Sequence, residues 1–154
     1  MFNKRMIEYK NIIENESEVI EFFTKNSDWF SIIVRIKKPY SQEPPVFNFD
    51  QQLRPYILRY IFQEKDWLVD FLGKLSHQIM VVCRCCKGSL KELLKMPNLF
   101  LTSEDDVPED ICFYRQGKLW FASVTHEKIS FMLNATNGDL DFLKTHKIVY
   151  HNAF

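Results

Sequence analysis

The chain has 154 residues, of which 46% are hydrophobic and 14 are phenylalanine, and its 20 basic residues balance 20 acidic ones. A chain of this length buries about two thirds of its unfolded surface, so we predict a single globular domain, residues 1–154, that needs no disulfide or metal to fold. With zero net charge, the chain lacks the excess of basic residues that nucleic-acid-binding proteins carry, so we expect no nucleic-acid partner. No apolar run reaches the roughly 18 residues that span a bilayer, so we expect no membrane association.

The first third of the chain alternates between helix and strand signals. Residues 1–14 fit neither period cleanly, and we interpret them as a strand or an extended arm. Residues 15–25 predict a helix in which Asn15 is the N-cap and Glu18 lies at the third helical position. Residues 29–37 alternate strictly enough to predict a strand with one buried and one largely solvated face. The prolines within residues 39–45 then predict a loop.

The middle of the chain carries a longer helical pattern. Residues 55–72 place apolar side chains on one stripe at helical spacing, and Pro55 suits the first turn of a helix. Charged residues 64–66 interrupt the edge of that stripe, which leaves one helix or two as alternatives. Residues 78–85 predict a strand, although a short apolar run of this kind is also compatible with a buried helix.

Shorter elements fill the rest of the chain. Ser89 is the predicted N-cap of a helix with Leu90, Leu93 and Leu94 facing inward, and Pro97 ends it. Residues 99–101 predict a short strand, and residues 102–110 an acidic loop. Near the end, Thr136 or Asn137 caps a helix that runs to Lys144, and residues 147–150 predict a last strand.

Residues 108–134, PEDICFYRQGKLWFASVTHEKISFMLN, predict a three-stranded meander. Gln116-Gly117 supplies the two-residue hairpin turn, and residues 125–128 form a polar break before the third strand. Helices mixed with strands in hairpin order indicate the α+β class. We predict a mostly antiparallel sheet that combines the meander with strands near 29–37 and 79–85, and helices packed on one side.

The four cysteines are Cys83, Cys85, Cys86 and Cys112. Three of them lie within four positions, a spacing that does not suit the disulfides of a secreted domain. Residues 1–10 lack the apolar stretch of a secretory signal. We therefore predict a cytoplasmic protein. With His77 upstream, Cys83 and Cys85 are candidate metal ligands, but no second ligand pair completes a zinc site. Buried, unreactive thiols are the favoured interpretation, and neither a metal nor another cofactor is expected.

Ser123, His126 and Glu127 bring a hydroxyl, an imidazole and a carboxylate close together in the sequence. Such groups serve a hydrolase or a small-ligand binder when they converge on a pocket. The stretch matches neither H-E-x-x-H nor G-x-S-x-G. The favoured interpretation is a turn whose polar side chains hydrogen-bond to the backbone of the turn itself.

The acidic run around Asp105 and Asp106 lacks the alternating oxygen ligands of a calcium loop. It predicts either a solvated loop or a patch for a basic protein partner, to which Tyr114 and Trp120 contribute if their rings are exposed. The four glycines form no phosphate-binding loop.

The pattern P-E-D-x-x-F-Y at residues 108–114, followed by Trp120-Phe121 and S-x-x-H-E at residues 123–127, resembles a group of small bacterial cytosolic proteins. Some members of that group carry the name stage III sporulation protein AH. The resemblance covers about the last third of the chain, implies no established activity and transfers no catalytic residue. Toxin-neutralising immunity proteins are similar in size and style.

We therefore expect a non-enzymatic cytosolic protein that binds another protein, as an immunity-type or regulatory factor. A ligand binder or hydrolase that uses Ser123, His126 and Glu127 is the alternative, and thiol or metal chemistry at residues 83–86 comes third. The oligomeric state stays open.

Overall fold

The computed structural model describes residues 3–36, 50–63, 77–96, 99–101 and 108–153. The strands in these ranges are β1 Lys4–Ile7, β2 Trp29–Ile36, β3 Ile57–Gln63, β4 His77–Arg84, β5 Glu109–Arg115, β6 Lys118–Val124, β7 Ile129–Leu133 and β8 Tyr150–Ala153. The helices are α1 Tyr9–Glu14, α2 Glu16–Lys25, α3 Asp50–Leu53, α4 Lys87–Lys95 and α5 Asn137–Thr145. The α+β class predicted from the sequence is confirmed.

All eight strands belong to one sheet in the order β3-β4-β2-β5-β6-β7-β1-β8. Every pairing in it is antiparallel. The predicted meander forms β5, β6 and β7 at the centre of the sheet. Gln116 and Gly117, with φ of 52° and 72°, make the left-handed two-residue turn that the sequence predicts.

The helices gather on one side of the sheet, which we call the inner face. Helix α2 contacts α1 and α4, α3 contacts α4, and α5 joins them where Phe142 stacks on Phe22 with 3.8 Å between ring centroids. At the centre, the ring of Phe23 from α2 packs against Phe113 and Phe121 of the sheet, at 5.6 and 4.1 Å. The other buried inner-face side chains include Phe30, Ile32, Val34, Ile79, Val81, Cys83, Ile111 and Met132.

The predicted helix over residues 55–72 is wrong where the structure describes it. Arg54–Tyr56 forms a single 3-10 turn, and β3 follows it, paired with β4 from Cys83 to Gln78. Ile57 and Ile61 are four residues apart and on opposite faces of the strand, because a bulge at Leu58 shifts the register. The spacing of the apolar residues alone does not distinguish a helix from a strand here. Pairing with β4 supplies the backbone hydrogen bonds that favour a strand. Residues 64–72 lie outside the described ranges.

Two predicted helix caps differ from the structure in different ways. Asn15 is the N-cap of α2 as predicted, with Glu18 at the third helical position, but its side chain makes no cap bond, because α1 runs directly into α2 and the Asn15 side chain instead donates to the Asn11 carbonyl at 2.8 Å. Helix α4 begins before Ser89, with Cys86 as the N-cap, and the Ser89 hydroxyl accepts from the Cys86 amide at 2.9 Å. Ser89 therefore fills the third helical position and not the cap. Of the two alternative caps predicted for α5, Thr136 and Asn137, the structure uses Thr136.

Several boundaries differ in smaller ways. Residues 1–14 contain both β1 and α1, residues 99–101 form a turn and not a strand, and β8 begins only at Tyr150. Lys147, with φ of 54°, lies in the left-handed region just after the preceding helix. The last strand therefore begins at Tyr150 and not at Lys147. Leu94 was expected to face inward but is 43% exposed. The predicted loop at residues 39–45 lies outside the described ranges.

Candidate functional site

The polar bend after β6 forms a 3-10 turn, Thr125–Glu127. The His126 and Glu127 side chains are both exposed, with 3.7 Å between Nε2 and Oε1. Ser123 is only 1% exposed, and its hydroxyl donates to the Ile111 carbonyl at 3.0 Å. A nucleophilic serine needs a hydrogen bond to its base, and among the described residues none joins Ser123 to His126. The structure therefore brings His126 and Glu127 together but leaves Ser123 in the core.

Thr125 is buried and anchors the bend to the start of β5. Its Oγ1 accepts from the Asp110 amide at 3.1 Å, and its amide donates to Asp110 Oδ1 at 2.6 Å. Asp110 has φ of 53°, in the left-handed region that non-glycine residues rarely adopt. The two reciprocal bonds hold this strained residue where β5 shifts register against β2.

Tyr9, the first residue of α1, extends the same network. Its hydroxyl donates to the Phe100 carbonyl at 2.6 Å, which ties α1 to the turn at residues 99–101. Burial raises the pKa of Tyr9 to about 12; the hydrogen bond to Thr125 opposes that shift, while Asp110 and two glutamates add to it. Tyr9 is therefore a neutral hydrogen-bond donor at physiological pH and not a general base.

An open cleft of about 440 Å³ lies above this network. We call it the cleft, and it is lined by Tyr9, Lys10, Ile13, Glu14, Phe100, Leu101, Thr125 and Lys128. The bend thus borders a cleft through Thr125 and Lys128, whereas His126 and Glu127 are not among its lining residues. Sequence reasoning missed the other lining residues because they come from α1 and from the turn at 99–101, which are far apart along the chain. No motif connects them.

The cysteine cluster is divided between the core and the start of α4. Cys83 is fully buried on the inner face, whereas Cys85 and Cys86 are half-buried beyond the end of β4. His77 lies six positions before Cys83 on the same strand, which separates their backbones by about 20 Å. In the part of the chain that the structure describes, no group of three or more His, Cys, Asp or Glu side chains is placed to hold a metal ion.

The thiols differ in acidity because their surroundings differ. Burial raises the pKa of Cys85 to about 12 and that of Cys112 to about 11. For Cys86 the smaller burial also acts to raise the pKa, but hydrogen bonds from Ser89 and Gly88 and the charge of Arg84 outweigh it and lower the pKa. This is the effect expected of a thiol at a helix N-terminus.

We expect iodoacetamide to alkylate Cys86 on the order of ten times faster than Cys85 or Cys112 in the folded protein, because the thiolate is the reacting species. The reaction should accelerate as pH rises through a pKa below the ordinary thiol value. Peptide mass spectrometry after timed labelling measures this, with Cys86→Ser as the control. Equal labelling of Cys86 and Cys112 would contradict the prediction.

Tyr114 and Trp120, expected to share one binding patch, lie on opposite faces of the sheet. Trp120 is 4% exposed, donates from Nε1 to Ser27 Oγ at 2.8 Å and packs on the inner face under Arg115. Tyr114 stacks on Trp29 on the other face, with ring centroids 3.7 Å apart. A register shift between β5 and β6 separates the two rings. Asp105 and Asp106 lie outside the described residues.

The sheet surface opposite the helices is mostly apolar. We call it the outer face, and its apolar side chains are Met6, Trp29, Ile33, Ile61, Met80, Val82, Cys112, Tyr114, Leu119, Ala122, Val124, Ile129, Phe131 and Leu133. Register pairs connect it without a break; Ile61 opposes Met80, Cys112 opposes Ala122, and Phe131 opposes Met6. Most of these side chains are half-buried, and Met6 is 42% exposed.

The prediction of a largely solvated second face on β2 is therefore wrong. Ser31, a polar residue on that side of the strand, is only 1% exposed, and Trp29 and Ile33 on either side of it are half-buried. Its cross-strand neighbours Val82 and Cys112 flank it, and its hydroxyl lies 3.2 Å from that of Tyr114. A small side chain between larger ones is covered by them, which alternation in a single strand cannot predict.

Basic side chains stand at the edge of the outer face. The Lys4 ammonium lies 4.5 Å above the centroid of the Phe131 ring. Arg59 opposes Val82, and Arg84 opposes Trp29, and both arginines are exposed. We call Lys4, Arg59 and Arg84 the basic rim.

Comparisons with models of protein families, with curated proteins and with solved structures found no match. None of the helices in the described ranges has the length and apolar character required to cross a membrane.

Proposed function

We propose that the protein is a non-catalytic binding module that docks another protein on its outer face, in a regulatory or immunity-type role. The observation that carries this proposal is the continuous apolar surface that spans seven of the eight strands in the described ranges. At about 4.8 Å per strand it extends for roughly 30 Å, and a continuous, partly exposed apolar surface of this extent is typical of an interaction site.

The construction of the outer face suits a protein partner. Trp29 and Tyr114 are stacked on each other within 10° of parallel, and Phe131 lies under Lys4. Large aromatic side chains dominate binding energy at protein interfaces, and rings already held in place lose little conformational entropy on binding.

The basic rim indicates the charge of that partner. Lys4, Arg59 and Arg84 surround an apolar centre, so the complementary surface is an apolar patch with an acidic border. A face-to-face pair of identical copies would oppose basic rim to basic rim, which favours a different protein over a second copy.

The test begins with a photo-crosslinking amino acid in place of Phe131 in the host cell, and a second at exposed Val149, outside the outer face, as the control. A protein captured only from position 131 is then purified, and its affinity for the unmodified chain is measured. We expect Phe131→Glu to weaken binding about 30-fold or more and Val149→Glu to leave it unchanged. The affinity should also fall with added salt and with Lys4→Glu.

Equal affinity of the Phe131→Glu and Val149→Glu variants would contradict the proposal. So would binding of the outer face to anionic vesicles or single-stranded RNA in place of the captured protein, since neither is the proposed class of partner.

A further inference from the structure

We infer that the cleft binds an amphipathic organic anion, with the apolar body of the ligand against Ile13, Phe100 and Leu101 and its anionic group at the mouth beside Lys10 and Lys128. The site is separate from the outer face and does not depend on the proposed protein partner. Its volume of about 440 Å³ falls within the roughly 300–1,000 Å³ of small-molecule sites.

The floor of the cleft favours the apolar part of a ligand, because the polar groups of the floor already have hydrogen-bond partners within the protein. The Tyr9 hydroxyl donates to the Phe100 carbonyl, and Thr125 Oγ1 accepts from the Asp110 amide. A ligand that displaces water here loses no hydrogen bond that the protein requires. Leu101 at the wall is 54% exposed, so covering it removes apolar surface from water.

The charges determine which end of the ligand faces out. Among the described residues that line the cleft, Lys10 and Lys128 outnumber Glu14, and the contact from Lys10 to Glu14 is a loose 3.8 Å between exposed side chains. Lys128 is held in the left-handed region by the bond from its amide to the Thr125 carbonyl at 3.2 Å. Beneath the floor, Asp110 is bonded to Thr125, so negative charge disfavours an anion deep in the cleft and favours one at the mouth.

Decanoate is the probe, and its neutral analogue decanol reports the contribution of charge. Titration of isotope-labelled protein should shift the amide resonances of residues 9–14, 100–101 and 125–128. Leu101→Asp should weaken decanoate binding about tenfold, and Lys128→Gln about threefold to fivefold. Decanol should bind the wild type more weakly than decanoate does. Because decanol is neutral, its affinity for a Lys10→Gln, Lys128→Gln double variant should equal its affinity for the wild type.

Leu58→Asp is the matched control, since Leu58 is a comparably exposed leucine, 60% accessible, on β3 and outside the cleft. It should leave decanoate affinity unchanged, as should Phe131→Glu on the outer face. The inference is overturned by an absence of shifts at millimolar decanoate, by shifts that map to the outer face, or by equal losses in Leu58→Asp and Leu101→Asp. A failure of the outer-face experiment alone leaves these readouts unaffected.

Discussion

Replacing Phe23 with alanine is expected to lower the free energy of unfolding by about 3–5 kcal/mol, because it removes a buried ring and leaves a cavity. Phe23 is fully buried, and its ring contacts Phe113, Trp120 and Phe121 at centroid distances of 5.6, 4.7 and 4.1 Å. Phe23 therefore packs α2 against the centre of the sheet. Urea unfolding followed by circular dichroism measures the effect, provided that the dependence on denaturant is unchanged.

Phe131→Ala provides the matched control for that measurement. The same atoms are removed, but from a half-buried position on the outer face. Its loss should be much smaller, because little cavity forms and less surface was removed from water by folding. Equal losses at positions 23 and 131 would show that Phe23 is not the central contact of the core.

The second large effect is expected at Asp139, where Asp139→Ala should destabilise the fold by about 3 kcal/mol. Arg115 donates to both carboxylate oxygens of Asp139, at 3.1 and 2.8 Å, and the Asp139 side chain is only 5% exposed. The same carboxylate accepts from the Thr136 amide at 2.8 Å and so completes the cap of α5. Removing it takes away the only carboxylate that the structure places against the Arg115 guanidinium among the described residues, leaves that charge beside Trp120 with the Asn26 carbonyl as acceptor, and breaks the helix cap.

The contribution of Asp139 should disappear in acid. Burial acts to raise its pKa, but the hydrogen bonds from Arg115 and Thr136 outweigh burial and hold the pKa below the ordinary aspartate value. A carboxyl whose pKa is lowered by folding stabilises the protein fully above its unfolded pKa, near 3.9, and loses that contribution as pH falls through the folded pKa.

Unfolding free energies of the wild type and Asp139→Asn between pH 7 and pH 2 test this expectation. Asparagine preserves the shape of the side chain and removes its charge, so the difference between the two proteins should be constant above about pH 5 and shrink below pH 4. A difference that persists unchanged at pH 2 would exclude the ion pair as its source.

Local sequence was sufficient for the elements whose signals depend on neighbouring residues. The hairpin turn at Gln116-Gly117, the strands of the meander and the cap at Thr136 all follow from backbone preferences and short-range alternation. These preferences involve residues only a few positions apart, so the local sequence is enough to predict the elements. The burial of Val19, Ile20 and Phe23 on one side of α2 follows from helical spacing in the same way, since a helix has only one face to bury.

The candidate sites depended on contacts between distant segments. The cleft requires α1, the turn at residues 99–101 and the bend at Thr125 to meet, and no single stretch contains its pattern. Trp120 and Tyr114 look equivalent in the sequence, yet a register shift puts one in the core and the other on the outer face. Ser123 is close to His126 in the sequence, but its position on the strand directs its hydroxyl to the Ile111 carbonyl.

The sequence by itself thus determined the class of fold, the central meander and the inner face of the helices, because short-range preferences and apolar periodicity encode them. Only the tertiary structure decided that Ile57–Gln63 is a strand, that the second face of the sheet is apolar, and where the cleft lies. Those outcomes arise from pairing between strands and packing between segments far apart in the chain, and such pairing is favourable only after the neighbouring element is in place.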